Sequence, residues 1–184
     1  MFEPSQHEVW EEVAKEFKGH HFPSTLTSMA RLNIPFRSSV IMVSDNYKNG
    51  LHFTKIAALY PKEKGVLFKI RDKNLIEKML NIKHHSILIG KNSFDARFIL
   101  KSPEPLITKK IFSSKRIQQG LLNLKQVRFS SQDHDSLFFD NVSNDERMLL
   151  FKRRGIIKDH EELKNIIQLF FEFLNVLYLE GSYI

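Results

Sequence analysis

Apolar residues near the end of the chain recur at three- and four-residue spacing, which is the period of an α-helix with one buried face. Asp159 followed by Glu162 is typical of a capping box at the start of such a helix, and Gly181 predicts its end. The apolar residues form a wide stripe along this helix, which predicts that the helix is largely buried, either on a sheet of its own chain or against a second subunit. Its members are Leu163, Ile166, Ile167, Phe170, Phe173, Leu174 and Leu177.

A second helical pattern lies at the start of the chain. Ser5 can cap a helix that runs to about Lys18, and Gly19 is expected to end it in the left-handed conformation. Its apolar face consists of Val9, Trp10, Val13, Ala14 and Phe17.

Between residues 26 and 71 the period changes to that of strands. Apolar and polar residues alternate over 26–34, and further strands are predicted at 40–43, 53–60 and 66–71. Asn49-Gly50 is a typical two-residue hairpin turn. Four short strands joined by short turns predict an antiparallel meander.

The second half of the chain alternates between the two periods. Asp72 is expected to cap a helix over 75–80, Ser102-Pro103 to begin another helix, and Ser113 or Ser114 to begin a third. Strands are predicted at 86–89, 94–101, 126–130, 137–140 and 147–153.

Together these elements predict an α+β fold, in which a mostly antiparallel sheet is covered by helices and a long C-terminal helix is buried. The chain has no internal repeat and no linker-like stretch. We therefore expect a single globular domain over residues 1–184, a length that can bury its own core.

Composition narrows the functional classes. With no cysteine, the chain has neither disulfides nor a thiolate nucleophile, and it cannot bind zinc through sulfur. No apolar run approaches the ~20 residues of a transmembrane helix, and the N-terminus does not resemble a signal peptide. We therefore expect a cytoplasmic protein without a transmembrane segment.

The usual catalytic motifs are missing from the sequence. It contains no G-x-S-x-G elbow and no glycine-rich phosphate loop. His20-His21 and His84-His85 are adjacent pairs, whereas metal ligands on one helix or strand face stand two, three or four apart. We accordingly predict no catalytic, cofactor-binding or metal-ligating residue, although an enzyme whose groups meet only in space stays open.

Among the polar residues, the lysines and arginines give the clearest indication of a function. The net charge is +7 and the pI about 9.5, which favours anionic partners. Lys109, Lys110, Lys115 and Arg116 flank the junction of two predicted helices, and they are the candidate anion contacts. The alternative is that these side chains only cover a solvated surface. A further basic run, Lys152-Arg153-Arg154, precedes the last helix.

One segment has a family resemblance. The residues from Gly90 to Ser102 read Gly-Lys-Asn-Ser-Phe-Asp-Ala-Arg-Phe-Ile-Leu-Lys-Ser. This run resembles the G-x-x-x-F-D-x-x-F-x-(V/I/L)-x-S core of a group of uncharacterised bacterial domains of unknown function. The resemblance implies the order of strands and helices but no functional residue. From the residues themselves, we expect Phe94 and Phe98 to face the core and Asp95 to accept backbone N–H bonds.

These observations leave three functional classes. The first is a non-catalytic binding or protein-interaction domain, whose partner is an apolar small molecule, another protein or a second copy of the chain in a homodimer. The second is a nucleic-acid or other polyanion binder, for which the positive charge is the argument. The third is an enzyme of unrecognised class. No cofactor is predicted for any of them.

Overall fold

The computed structural model describes residues 5–26, 28–79, 86–133 and 143–180. Within these ranges, eight strands form one antiparallel sheet and six α-helices accompany it, which confirms the α+β class. The predicted strand at 137–140, the His84-His85 pair and the helix end at Gly181 lie outside the described residues. No described helix is both long enough and apolar enough to span a membrane.

The strand bounds are β1 His20–Phe22, β2 Arg31–Phe36, β3 Ser39–Lys48, β4 Leu51–Pro61, β5 Phe68–Asp72, β6 Phe98–Lys101, β7 Arg128–Asp133 and β8 Glu146–Arg154. They are joined in the order β1-β2-β3-β4-β8-β7-β5-β6. Strands β2, β3 and β4 correspond to the first three strands of the predicted meander, and β1, which was not predicted, precedes them. The predicted fourth strand, 66–71, is β5, which pairs with β6 and β7 instead of β4, so the meander prediction was wrong there. The last described strand, β8, connects the two halves of the sheet.

The helices differ in length and in how they begin. Ser5 caps the first with a capping box to Glu8, and Ser114 caps the fifth through the backbone N–H of Ile117. The bounds are α1 Gln6–Glu16, α2 Leu75–Met79, α3 Asn92–Arg97, α4 Pro105–Phe112, α5 Lys115–Asn123 and α6 His160–Glu180.

Helix α6 is buried against the inner face of the sheet, as its apolar stripe predicts. Phe173 lies 4.6 Å from Phe129 of β7, 5.7 Å from Phe68 of β5 and 5.4 Å from Phe112 of α4, measured between ring centroids. All four rings are almost fully buried. The space between α6 and this part of the sheet is therefore filled by phenylalanine side chains.

Turn chemistry was predicted correctly at one position and wrongly at another. Asn49 and Gly50 have φ values of 52° and 76°, which fits the predicted hairpin turn between β3 and β4. At the end of α1, Lys18 and not Gly19 adopts positive φ, at 53°. Gly19 is needed for a different reason, because a Cβ there would lie 2.5 Å from the carbonyl oxygen of Asn33.

Several predicted elements of the second half were wrong. The strand at 94–101 is a helix, α3, followed by the shorter strand β6, and residues 86–89 form no strand. Helix α4 begins with Pro105 at its first turn instead of Pro103. Asn74, rather than Asp72, accepts the N–H bond that starts α2, through its side chain and from Glu77.

Candidate anion-binding site

The face of the sheet that points away from helix α6, which we call the outer face, carries many cationic side chains. Directly opposed residues on neighbouring strands point to the same side, so the register assigns each residue to a face. In the described strands, the outward paired positions contain a single carboxylate, Glu146, at the start of β8. The cations at these positions are Arg31, Lys48, Lys55, Lys69, Arg71, Lys101, Arg128 and Lys152.

The register opposes like charges directly. Lys55 of β4 faces Lys152 of β8, and Arg71 of β5 faces Arg128 of β7. Lys69 of β5 also faces Lys101 of β6. Like charges directly opposite each other destabilise a sheet by ~0.2–1 kcal/mol per pair. Lys55 is buried, with only 8% of its surface exposed, and Arg71 has a carboxylate partner, whereas Lys69 and Lys101 are both exposed.

One of these cations is strongly paired. The Arg71 guanidinium donates two hydrogen bonds to the Glu77 carboxylate of α2, with N–O distances of 2.8 and 2.6 Å. This bidentate pair raises the pKa of Arg71. Glu77 is itself held by the backbone N–H of Asn74 at 2.7 Å. Arg71 is therefore fixed in place and partly neutralised.

Four other cations have no such compensation. Lys69, Lys101, Arg128 and Lys152 make no ion pair with any described residue. We call these four residues the cation cluster. They come from the four adjacent strands β5, β6, β7 and β8, so the sheet order brings them together although they span 84 positions of the sequence.

The cation cluster surrounds a groove of about 410 Å³. Ile99 and Leu150, which are only 2% and 6% exposed, form part of its floor. A second groove of about 630 Å³ shares Lys69, Lys101 and Gln132 with the first and continues past Ile87 and Pro103. The first groove has no carboxylate or imidazole among its described lining residues. It offers positive charge and hydrogen-bond donors but no conventional general acid or base.

The anion contacts predicted from sequence lie elsewhere. Lys109 and Lys110 are exposed on α4, and Lys115 and Arg116 are exposed on α5. These two helices pack on the inner side of the sheet, so their cations do not line the groove. Arg116 also pairs with Glu172 of α6 at 3.3 Å. The role of these four residues as anion contacts stays a prediction.

Sequence reasoning missed three members of the cation cluster. Only Lys152 belonged to a basic run noted in the sequence. Lys69 stands between buried Phe68 and Ile70, and Arg128 stands directly before buried Phe129, whereas Lys101 follows three consecutive buried residues of β6. The period-two placement of Lys69 and Arg128 was a signal that they share the outer face, and no such pattern exists for Lys101.

The Phe-Asp-x-x-Phe motif has a structural role. The Asp95 carboxylate accepts the backbone N–H groups of Ile89, Gly90 and Lys91 at 2.9, 2.9 and 3.1 Å. Phe94 and Phe98 are almost fully buried, with ring centroids 4.8 Å apart. The expected core positions and the expected role of Asp95 are thus confirmed.

Arg97 pairs with Asp72 and not with Asp95. Its Nε donates to Asp72 at 2.7 Å, and its terminal nitrogens donate to the carbonyl groups of Leu122 and Leu124. Asp72 in turn accepts the N–H of Val127 at 2.5 Å. The motif therefore joins β5, α3 and the end of α5, and its polar residues are occupied in holding the fold.

Histidines form one small group near the chain start. The rings of His7 and His21 lie 4.9 Å apart, and burial, followed by the nearby His7, lowers the pKa of His21. Among the described residues, no three His, Asp or Glu side chains are arranged to hold a metal ion.

Comparison with known proteins gives no relative: no protein-family model, no curated protein and no solved structure matches this chain. The resemblance of the Gly90–Ser102 motif to uncharacterised bacterial domains therefore stays a prediction.

Proposed function

We propose that this protein binds a polyanion, without chemical conversion, on the outer face of its sheet. The observation that carries the proposal is the cation cluster, whose four residues line one groove and make no ion pair with any described residue. Within it, Lys69 directly opposes Lys101, and both side chains are exposed. A phosphate or sulfate bound between these positive charges would offset their repulsion.

Binding without catalysis fits the chemistry of the groove. Lysine and arginine side chains attract and orient anions but are poor proton acceptors at neutral pH. The groove's described lining includes Ser130 and Gln132 as its uncharged polar groups, and neither has a base beside it within that lining. These properties favour a binding protein over an enzyme. They also favour a polyanion over an apolar small molecule as the ligand.

Heparin chromatography tests the proposal with two matched variants. The face variant carries K69Q, K101Q, R128Q and K152Q, and the helix variant carries K109Q, K110Q, K115Q and R116Q. Each loses four positive charges, so the net charge falls from +7 to +3 in both. Circular dichroism spectra show whether each variant keeps the native fold.

We expect the native protein and the helix variant to be retained and the face variant to elute at much lower salt. Equal losses in the two variants would mean that net charge alone causes retention, and the proposal would be wrong. Loss in the helix variant alone would place the anion site at the α4–α5 junction instead. No retention of the native protein at 50 mM salt would also refute polyanion binding.

A further inference from the structure

Resting on the proposed function, we infer that the polyanion is a small molecule with two separate phosphate groups, one bound at each end of the groove. Three features of the groove support this ligand class. The cation cluster is compact, it divides into two pairs, and the remaining outward positions of the groove are uncharged or already paired. Lys55 and Arg71 add no free charge, since the first is buried and the second is bound to Glu77.

The cation cluster occupies a small part of the outer face. Its most distant members, Lys101 of β6 and Lys152 of β8, lie three strands apart and two residues out of register. With ~4.8 Å between strands and ~3.4 Å per residue, their Cα atoms are about 16 Å apart. On the next strand, β4, the outward positions beside the groove are Ala57, Leu59 and the buried Lys55. The accessible charge thus ends within the length of a small molecule, and the groove volume of about 410 Å³ lies within the ~300–1,000 Å³ of small-ligand sites.

The cation cluster divides into two pairs. Lys69 of β5 is directly opposite Lys101 of β6, and the register of β7 with β8, continued by one residue, places Arg128 opposite Lys152. Directly opposed side chains are ~4.5–5.5 Å apart at Cβ, so one phosphate can contact both cations of a pair. The centres of the two pairs are two strands and two residues apart, which corresponds to about 12 Å. One phosphate cannot contact both pairs, whereas two phosphates joined by a linker can.

The rest of the groove suits an uncharged linker. Apart from the paired Arg71, the remaining outward positions in the same two rows are Ile99, Ser130 and Leu150. The Ser130 hydroxyl donates to Oε1 of Gln132 at 3.2 Å, which leaves the Gln132 NH2 group to donate to a ligand. A phosphate placed against Ile99 or Leu150 would lose hydration without gaining a partner. Carbon and hydroxyl groups, as in a sugar bisphosphate, therefore fit this lining better than an unbroken chain of phosphates.

Isothermal titration calorimetry with hexanediol bisphosphate tests the inference, and hexyl phosphate is the control with one phosphate. The bisphosphate can occupy both pairs at once, so we expect it to bind at least about 100-fold more tightly than hexyl phosphate. Propanediol bisphosphate has a shorter linker that does not match the separation of the pairs, and it should lose much of this advantage. Tripolyphosphate carries its charge without an uncharged linker and should bind more weakly than hexanediol bisphosphate.

Two double variants remove the pairs one at a time. In K69Q/K101Q and in R128Q/K152Q, the affinity for hexanediol bisphosphate should fall close to that for hexyl phosphate. Hexyl phosphate itself should lose little affinity, because one pair remains in each variant. The control variant K109Q/K115Q also loses two positive charges from exposed side chains and should keep the native affinity for both ligands.

Equal affinities for hexanediol bisphosphate and hexyl phosphate would overturn the inference and leave the proposed function intact. Tripolyphosphate binding at least as tightly as the bisphosphate, or a loss in only one of the two double variants, would have the same consequence. Retention on heparin without binding of any of these small probes would also overturn the inference alone. If retention on heparin fails as well, the proposed function fails together with the inference.

Discussion

Removing one cation from each opposed pair should stabilise the protein. The variant K101Q/R128Q/K152Q relieves all three pairs while retaining the bidentate pair between Arg71 and Glu77. At ~0.2–1 kcal/mol per pair, the free energy of unfolding should rise by about 0.6–3 kcal/mol. For a chain of this size, 1 kcal/mol corresponds to roughly 2–4 °C in the thermal midpoint. We thus expect an increase of about 1–12 °C at low salt.

Salt dependence separates electrostatic relief from other effects of the substitutions. Thermal unfolding followed by circular dichroism at 20 mM and 1 M salt is the appropriate assay, because the Debye length falls to ~3 Å at 1 M. The stability gain should largely disappear at high salt. The control variant K109Q/K115Q/K158Q also lowers the net charge from +7 to +4, but it changes exposed cations outside the opposed pairs and should gain less. A gain of equal size in the control, or one unaffected by salt, would refute the reasoning.

Three further predictions concern the core and the motif. Asp95→Ala leaves three backbone N–H groups without their acceptor and should lower the free energy of unfolding by about 1–3 kcal/mol, whereas Asp95→Asn should lose less; urea unfolding measures both. Phe173→Ala should cost about 3–5 kcal/mol in the same assay, and Phe173→Leu clearly less, because the ring fills the centre of the core. Burial raises the pKa of Tyr60 from 10.0 to about 12, so the native state favours the neutral phenol and stability should fall as pH rises through this window. Absorbance at 295 nm should show one tyrosine that ionises late, and Tyr60→Phe should remove both this step and its share of the stability loss.

The spacing of apolar residues was sufficient to predict the type of an element where that element contains many of them. Helix α6 and strands β2, β3 and β4 were predicted because each repeats one period over several turns or residues, whereas the three-residue strand β1 was not predicted. At Phe94 and Phe98 the same argument failed, since a spacing of four places two side chains on one face of a helix as well as of a strand. The three N–H bonds accepted by Asp95 support the helical choice there, and they join residues that no periodicity links.

The candidate site was harder to predict than the fold. Its four cations come from strands whose adjacency depends on β8 and β7 lying between β4 and β5. A basic run such as Lys109-Lys110 is visible in the sequence, whereas Lys69 and Lys101 become neighbours only through the register of β5 with β6. Clusters built across strands require the sheet order, which local patterns do not determine.

The central place of β8 affects how the chain can fold during synthesis. The meander can form early from local hairpins, but the edge of β4 has no partner until residue 154 has left the ribosome. An unpaired edge of this kind invites pairing with other nascent chains. Helix α6 leaves the ribosome after β8, so the apolar inner face of the partly formed sheet is exposed to solvent over the same interval. Cells that make this protein quickly would therefore depend on chaperones that shield it late in translation, whatever its mature partner.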